Sequence, residues 1–321
     1  MAENKALLTI RKLNLFYKNV DSKQQVLFDI NLTLNKNEFL AVVGESGSGK
    51  TQTVLSVIKL YDANAVVSGE IIYNGVNLLE LSEKEINKYR GKEIAMAFQD
   101  PMTALNPYLT IKEQLIDPLL VHYHLSRSAA EKKAIEILGF IKIKDPHKKI
   151  NCYPHELSGG MRQRVMIAMS LICNPKILIA DELTTALDAT TQNIVLDLIK
   201  QLQVDTGMSV IFITHDIKMI SKIADRIIVM YCGHIMEELP ADAIFTSARH
   251  PYTRGLLNSM PELNSCKTIQ PIPGEVPSID NIPQGCPFST RCERTCKDCF
   301  IHKPQIKVVG KGKIACFNYY D

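Results

Sequence analysis

The sequence predicts an α/β fold built on a largely parallel sheet, with a loop-rich appendage at its C-terminal end. Three observations predict it. A short apolar run, Phe39 to Gly44 (FLAVVG), leads straight into a glycine-rich loop. Three more runs of strand length, ILIADE, VIFITHD and RIIVMY, alternate with helical patterns, the signature of a sheet with helices on both faces. Past about residue 238 the prolines crowd together, at Pro251, Pro261, Pro271, Pro273, Pro277, Pro283 and Pro287, and periodicity weakens.

The elements follow in order. Residues 7 to 43 alternate apolar runs with turns and read as strands. A helix is expected from about Lys50 to Leu60 after the glycine loop. IIYNGVNLL reads as a hairpin turning at Asn74-Gly75, because that pair tolerates the positive φ of a tight turn. Residues 111–140 and 161–172 carry helical periodicity. There is no internal repeat and no low-complexity tract.

With 321 residues and 46 % apolar content the chain can bury one large core or two modest ones. The net charge of +3 gives no argument for a nucleic-acid partner. The longest apolar stretches are strand-length, far below the roughly 20 residues that cross a bilayer. The N-terminus, MAENKALLTIRK, lacks the apolar core of a signal peptide. A cytosolic protein is expected, with any membrane role exerted through partners.

The chemistry starts at Gly44–Thr51, GESGSGKT, which fits the phosphate-loop pattern G-x-x-x-x-G-K-[ST] and sits between a buried strand and a helix. In such a loop the backbone N–H groups of Gly44, Ser46, Gly47 and Gly49 wrap phosphate oxygens. Lys50 reaches the β- and γ-phosphates and Thr51 offers its hydroxyl to Mg²⁺. ILIADE ends a strand in two acids. Asp181 is placed to hold Mg²⁺ through water, and Glu182 to orient or deprotonate the attacking water. Gln99, in AFQDP, is a candidate contact to Mg²⁺ and water, with plain polar surface as the alternative. His215, in FITHD, ends the next strand and is a candidate partner of the γ-phosphate and Glu182. Asp188, in TALD, is a candidate at a subunit boundary. Tyr17 is the best N-terminal aromatic to stack on adenine, with core packing and Phe16 as its competitors.

LSGGMRQR, Leu157 to Arg164, places Ser158, Gly159 and Gly160 at the start of a helix opening near Met161. Free N–H groups, a positive dipole end and two glycines suit a phosphate there. A simple Ser-Gly-Gly helix cap is the alternative.

GESGSGKT, FQDP, LSGGMRQR, ILIADE, TALD and FITHD occur in the order found in ATP-binding cassette (ABC) ATPases, which the chain resembles over essentially its whole length. The resemblance implies a P-loop NTPase (RecA-like) core with an antiparallel β subdomain and an inserted helical subdomain at about 100–176. The ATPase domain would cover residues 1–238 and a loop-rich extension residues 239–321. It also implies a head-to-tail dimer with two ATP molecules at its interface, Ser158, Gly159 and Gly160 serving the partner's ATP. Leu183 departs from the family, which usually has proline there; the loss removes no chemical group, so hydrolysis is still expected.

Further stretches, FQDPMTALNPYLTIKEQL, YPHELSGGMRQRVMIAMSL, HPYTRGLL, PIPGEVPS and GCPFSTRC, resemble ATPase subunits of peptide importers, the oligopeptide kind most. That implies two membrane permeases, a second and different ATPase, an extracytoplasmic peptide-binding protein, and a peripheral place on the cytoplasmic face of the inner membrane. ATP binding would close the dimer and move the helical subdomain against the permeases' cytoplasmic helices. A soluble ABC ATPase of regulatory or repair type is the alternative.

Six of nine cysteines fall in the last 56 residues, from Cys266 onward. Cys286, Cys292, Cys299 and Cys316 resemble the tails of peptide-importer ATPases that hold an iron–sulfur cluster. A [4Fe–4S] cluster on these four is expected, with zinc or free thiols as alternatives and Cys266 and Cys296 spare.

Overall fold

The computed structural model describes residues 6–18, 23–183, 189–259 and 271–321. Asp188 and Cys266 lie outside the described residues. The chain divides into two units, Met1–Glu80 with Ile213–Asp321, and Leu81–Phe212.

Along the first segment, β1 (Ala6–Lys18), β2 (Lys23–Asn35) and β3 (Phe39–Val43) are followed by helix α1 (Lys50–Val57), then β4 (Ala65–Tyr73) and β5 (Val76–Asn77). β1, β2, β4 and β5 form an antiparallel sheet in the order β2-β1-β4-β5. The expected hairpin is there: Tyr73 pairs with Val76, and Asn74 and Gly75 take φ of 47° and 86°, the double positive φ of a primed turn.

The second unit holds β6 (Ile94–Ala97), α2 (Ile111–Tyr123), α3 (Arg127–Phe140), α4 (Gly159–Leu171), β7 (Ile177–Asp181) and α5 (Ala189–Thr206), and most of β8 (Ser209–Thr214). β6 and β7 run parallel, with β8 beyond β7. The helical pattern over 111–140 is two helices. His124 takes a left-handed φ of 52° and ends α2, and Ser126 accepts the Ala129 N–H to start α3. A capping box at Thr110 and Glu113 fixes the start of α2.

The chain returns to the first unit through β9 (Arg226–Tyr231), β10 (His234–Pro240), α6 (Pro251–Asn258), α7 (Lys297–Ile301), β11 (Lys307–Val309) and β12 (Gly312–Ile314). β3 and β9 are parallel, and β10, β12 and β11 extend that sheet antiparallel. β3, β7 and β8 are buried at every residue, as strands covered on both faces must be.

The C-terminal extension packs against β9 and β10, with the Phe288 ring 5.3 Å from that of Tyr231 and Ile314 paired to Glu237. Cys286, Phe288, Cys299, Ile314 and Cys316 are all buried. The guanidinium groups of Arg254 and Arg294 lie 4.0 and 4.3 Å from the Tyr320 ring centroid, and the Cys286 N–H donates to the Cys299 carbonyl at 2.8 Å.

The expected [4Fe–4S] cluster is not supported. Among the described residues no group of three or more His, Cys, Asp or Glu is disposed to hold a metal ion. The physical reason is burial, which outweighs the pull of Lys307 on Cys316 and of Arg294 on Cys292. It pushes the Cys286 thiol up to about 12 and the Cys316 thiol up to about 11, and raises Cys292 and Cys299 as well. A cluster binds thiolates, and burial works against forming them at these sulfurs.

Candidate active site

In the first unit β3 delivers Gly44 into the loop and α1 begins at Lys50. Two glycines are demanded by geometry. A Cβ on Gly44 would lie 2.2 Å from the Met230 carbonyl oxygen, and Gly49 caps α1 in the left-handed region at φ 93°. Lys50 is 5 % exposed, and its ammonium donates to the carbonyls of Gly44 and Glu45, each at 2.9 Å. It also lies 3.4 Å from the Ser48 hydroxyl. The loop is thus closed around its own lysine, and the first-turn N–H groups of α1 point back toward it, as at any helix start.

Tyr17 is the next-to-last residue of β1 and is tied to α1. Its hydroxyl donates to Gln52 of α1 at 2.8 Å, and partial burial raises its pKa. Phe16 is covered instead by Lys23, whose ammonium sits 3.8 Å from the ring centroid. Tyr17 is therefore the aromatic tied to the phosphate-loop helix. His215 follows β8, exposed, just before the short helix capped by Asp216.

In the second unit Asp181 is the buried last residue of β7, at 5 % exposure. Glu182 takes a left-handed φ of 45°, an unfavourable backbone for a residue with a Cβ, and accepts a hydrogen bond from the Gln99 amide at 3.0 Å. The structure so brings together Gln99 and Glu182, which are 83 positions apart. Leu183 has its side chain buried at 1 %, and its carbonyl accepts a hydrogen bond from Gln163 of α4. This bond ties the signature helix to the turn where proline would otherwise stand.

Ser158 caps α4 with an extended backbone, and its hydroxyl makes no capping bond. Helix α4 opens at Gly159, two residues earlier than expected, and a Cβ on Gly159 would meet open space. Ser158 and Gly159 are exposed. A serine hydroxyl, two glycines and a helix start are thus presented outward together, as an anion site requires.

Sequence reasoning missed three residues beside the phosphate loop. The Glu45 carboxylate is gripped by Arg291, and the Glu45 N–H donates to the Tyr252 hydroxyl at 2.9 Å. Arg291 and Tyr252 lie inside GCPFSTRC and HPYTRGLL, so the signal was present as motif without a role. Gln163, likewise, was noticed in LSGGMRQR without its contact to Leu183.

Comparison with known proteins matches residues 27–185 to the family described as ABC transporter, and residues 236–299 to the family described as oligopeptide/dipeptide transporter, C-terminal region. The oligopeptide transport ATP-binding protein OppD of Escherichia coli (strain K12) is 42 % identical over 314 residues, covering 97 % of this chain and 93 % of that protein. OppD of Bacillus subtilis (strain 168) is 46 % identical over 302 residues, covering 93 % and 84 %. Among solved structures, the dimeric ATP-binding cassette MJ0796 bound to ADP and Pi is similar with a TM-score of 0.65. It is 30 % identical and covers 73 % of this chain and 98 % of that one.

Proposed function

We propose a function from one premise: the chain belongs to the ABC transporter ATP-binding proteins, in the oligopeptide group. It is an ATPase that energises import of peptides. The observation that carries this reading is the joining, on one chain, of a complete phosphate loop to a C-terminal region of the oligopeptide/dipeptide kind. The regulatory or repair alternative has no such tail to account for.

ATP would lie with its phosphates on Gly44, Ser46, Gly47, Gly49 and Lys50 and its adenine on Tyr17. Mg²⁺, when bound with ATP, neutralises charge on the phosphates, and Thr51, Gln99 and Asp181, all oxygen donors suited to that hard ion, would hold it. Glu182 takes a proton from, or orients, the attacking water, with Gln99 aligning its carboxylate. His215 is exposed and able to donate to phosphate or to Glu182. Ser158, Gly159 and Gly160 serve an ATP held by a partner ATPase, and Asp188 belongs to the same boundary.

The partners follow from the same reading: a second, different ATPase, two permeases and an extracytoplasmic peptide-binding protein. No helix among the described residues is long and apolar enough to cross a membrane. The chain would sit peripherally on the cytoplasmic face. Support for permease docking comes from apolar side chains left in water on the second unit. Met102, Tyr108 and Val121 are 61 %, 86 % and 68 % exposed. Val121 also lines an open cavity of about 550 Å³, where Leu109 and Pro118 stand beside the polar Arg90, Asn106 and Asp117. Detergent extraction of membranes, with the chain tagged, is expected to recover two membrane proteins and a second ATPase. Recovery of the chain in the soluble fraction without them would sink the importer reading.

A further inference from the structure

The phosphate loop is held from behind by two segments of the C-terminal extension, and both act on one residue. Glu45 is bound at all three of its polar groups. Its carboxylate receives two bonds from the Arg291 guanidinium, at 2.8 and 3.2 Å. Its N–H donates to the Tyr252 hydroxyl at 2.9 Å. Its carbonyl accepts from the Lys50 ammonium at 2.9 Å and from the Ser48 N–H at 3.2 Å.

Neither gripping side chain has room to swing. Arg291 is 5 % exposed at its side chain; its Nε donates to the Pro273 carbonyl at 3.0 Å and its Nη1 to the Tyr231 hydroxyl at 3.3 Å. Tyr252 is fully buried, 4.7 Å from the Tyr231 ring and 5.2 Å from Phe288 by ring centroids. A bidentate Arg–carboxylate pair fixes direction as well as distance. The loop it fixes has left-handed backbone at Gly47 and Gly49, at φ 77° and 93°, and such glycines leave many conformations open without a brace.

We infer that the C-terminal extension braces the phosphate loop through Glu45, making Arg291 and Tyr252 positioning residues for ATP. They do not supply the loop's N–H groups or its lysine. They hold the residue that holds Lys50, so the loop is already shaped when ATP arrives, and the ordering cost on binding falls. ATP affinity is thereby tied to the folded state of the extension. The inference rests on the reading that Gly44–Thr51 carries the ATP phosphates.

The test uses the full-length chain in its assembled transporter, with KM for ATP, kcat and thermal midpoint measured together. Glu45→Gln and Arg291→Gln are each expected to raise KM about tenfold, within the usual range of coupling between sites, with kcat changed less than about twofold. The double variant should raise KM no further than either single, because both break the same bidentate pair. Tyr252→Phe removes the acceptor alone and should raise KM about threefold, and Arg291→Lys should recover part of the Arg291→Gln loss. If Arg291→Gln does not fold, these last two variants carry the test. An unchanged KM beside a lowered thermal midpoint overturns the inference, since a purely structural pair gives that result. Multiplying effects in the double variant overturn it too. Lys50→Ala separates the underlying reading: if it binds ATP as the parent does, the phosphate loop itself is misassigned.

Discussion

At the phosphate loop, Lys50 is buried and its ammonium already rests on two loop carbonyls, while Gly44 and Gly49 occupy backbone that side chains would obstruct or strain. At the end of β7, Glu182 is half-buried, strained at φ 45°, and hydrogen-bonded to an exposed Gln99. The first region is finished by its own fold. The second holds its carboxylate half-buried and on an unfavourable backbone. On the proposed reading, the difference teaches that the phosphate site is shaped in advance, whereas the hydrolytic carboxylate would wait for groups brought by a partner ATPase.

The largest effect that can break this comparison is at Glu182. Glu182→Gln keeps the shape and the Gln99 partner but removes the base. ATP turnover is expected to fall by about 100-fold or more, the usual scale of general-base catalysis, with ATP binding kept. Steady-state hydrolysis and equilibrium binding measured on one preparation decide it. Unchanged turnover refutes the role. Next in size is Lys50→Ala, expected to weaken ATP binding by about 100-fold, since it removes the charged contact to phosphate. A binding isotherm that hardly moves would mean that the loop is not finished by its lysine.

Much of the first region was legible because its chemistry is contiguous. GESGSGKT puts the lysine, the hydroxyl and the glycines within eight positions, and the strand before it fixes their direction. The hairpin at Asn74-Gly75 was legible for the same reason. Gln99 and Glu182 were legible singly, as strand ends, but their contact spans 83 positions and no periodicity carries it. The grip of Arg291 on Glu45 spans 246 positions and that of Tyr252 spans 207, so both stayed invisible until folded. The cysteines show the opposite failure. Their spacing invited a cluster, but spacing carries no information about burial, and burial pushes these thiols up, against forming thiolates. The break between α2 and α3 was hidden because His124 turns left-handed, at φ 52° and ψ 34°, without interrupting the apolar pattern.

A smaller effect sharpens the comparison on the hydrolytic side. Gln163 is 3 % exposed and donates to the Leu183 carbonyl, the residue after Glu182. Gln163→Ala leaves that carbonyl buried without its donor, which costs about 1–3 kcal/mol. The thermal midpoint should fall and turnover should drop with it, because the left-handed Glu182 loses the contact that holds the next residue. A drop in the midpoint with normal turnover would show that Glu182 is held by Asp181 and β7 instead.

The smallest effect, per unit of pH, distinguishes the two regions by what acid does to them. His250 is buried behind the phosphate loop. It caps α6 by accepting the Tyr252 N–H at 3.0 Å, and burial lowers its pKa from 6.5 to about 3. His234, stacked on Phe28 at 4.3 Å, is lowered by burial to about 4. In both cases the unfolded chain takes up a proton that the folded chain refuses. Stability is therefore full above pH 6.5 and declines as pH falls from there toward the folded values, where each histidine protonates in place. Between pH 6 and 4.5 the slope should approach about 1.4 kcal/mol per pH unit for each histidine. Asparagine accepts the same capping N–H without titrating, so His250→Asn should flatten the slope by one histidine's share. Urea unfolding midpoints at half-unit intervals of pH measure it. An unchanged slope in that variant would mean that the loop's buried backing does not sense acid, and that acid lability arises at other titratable groups.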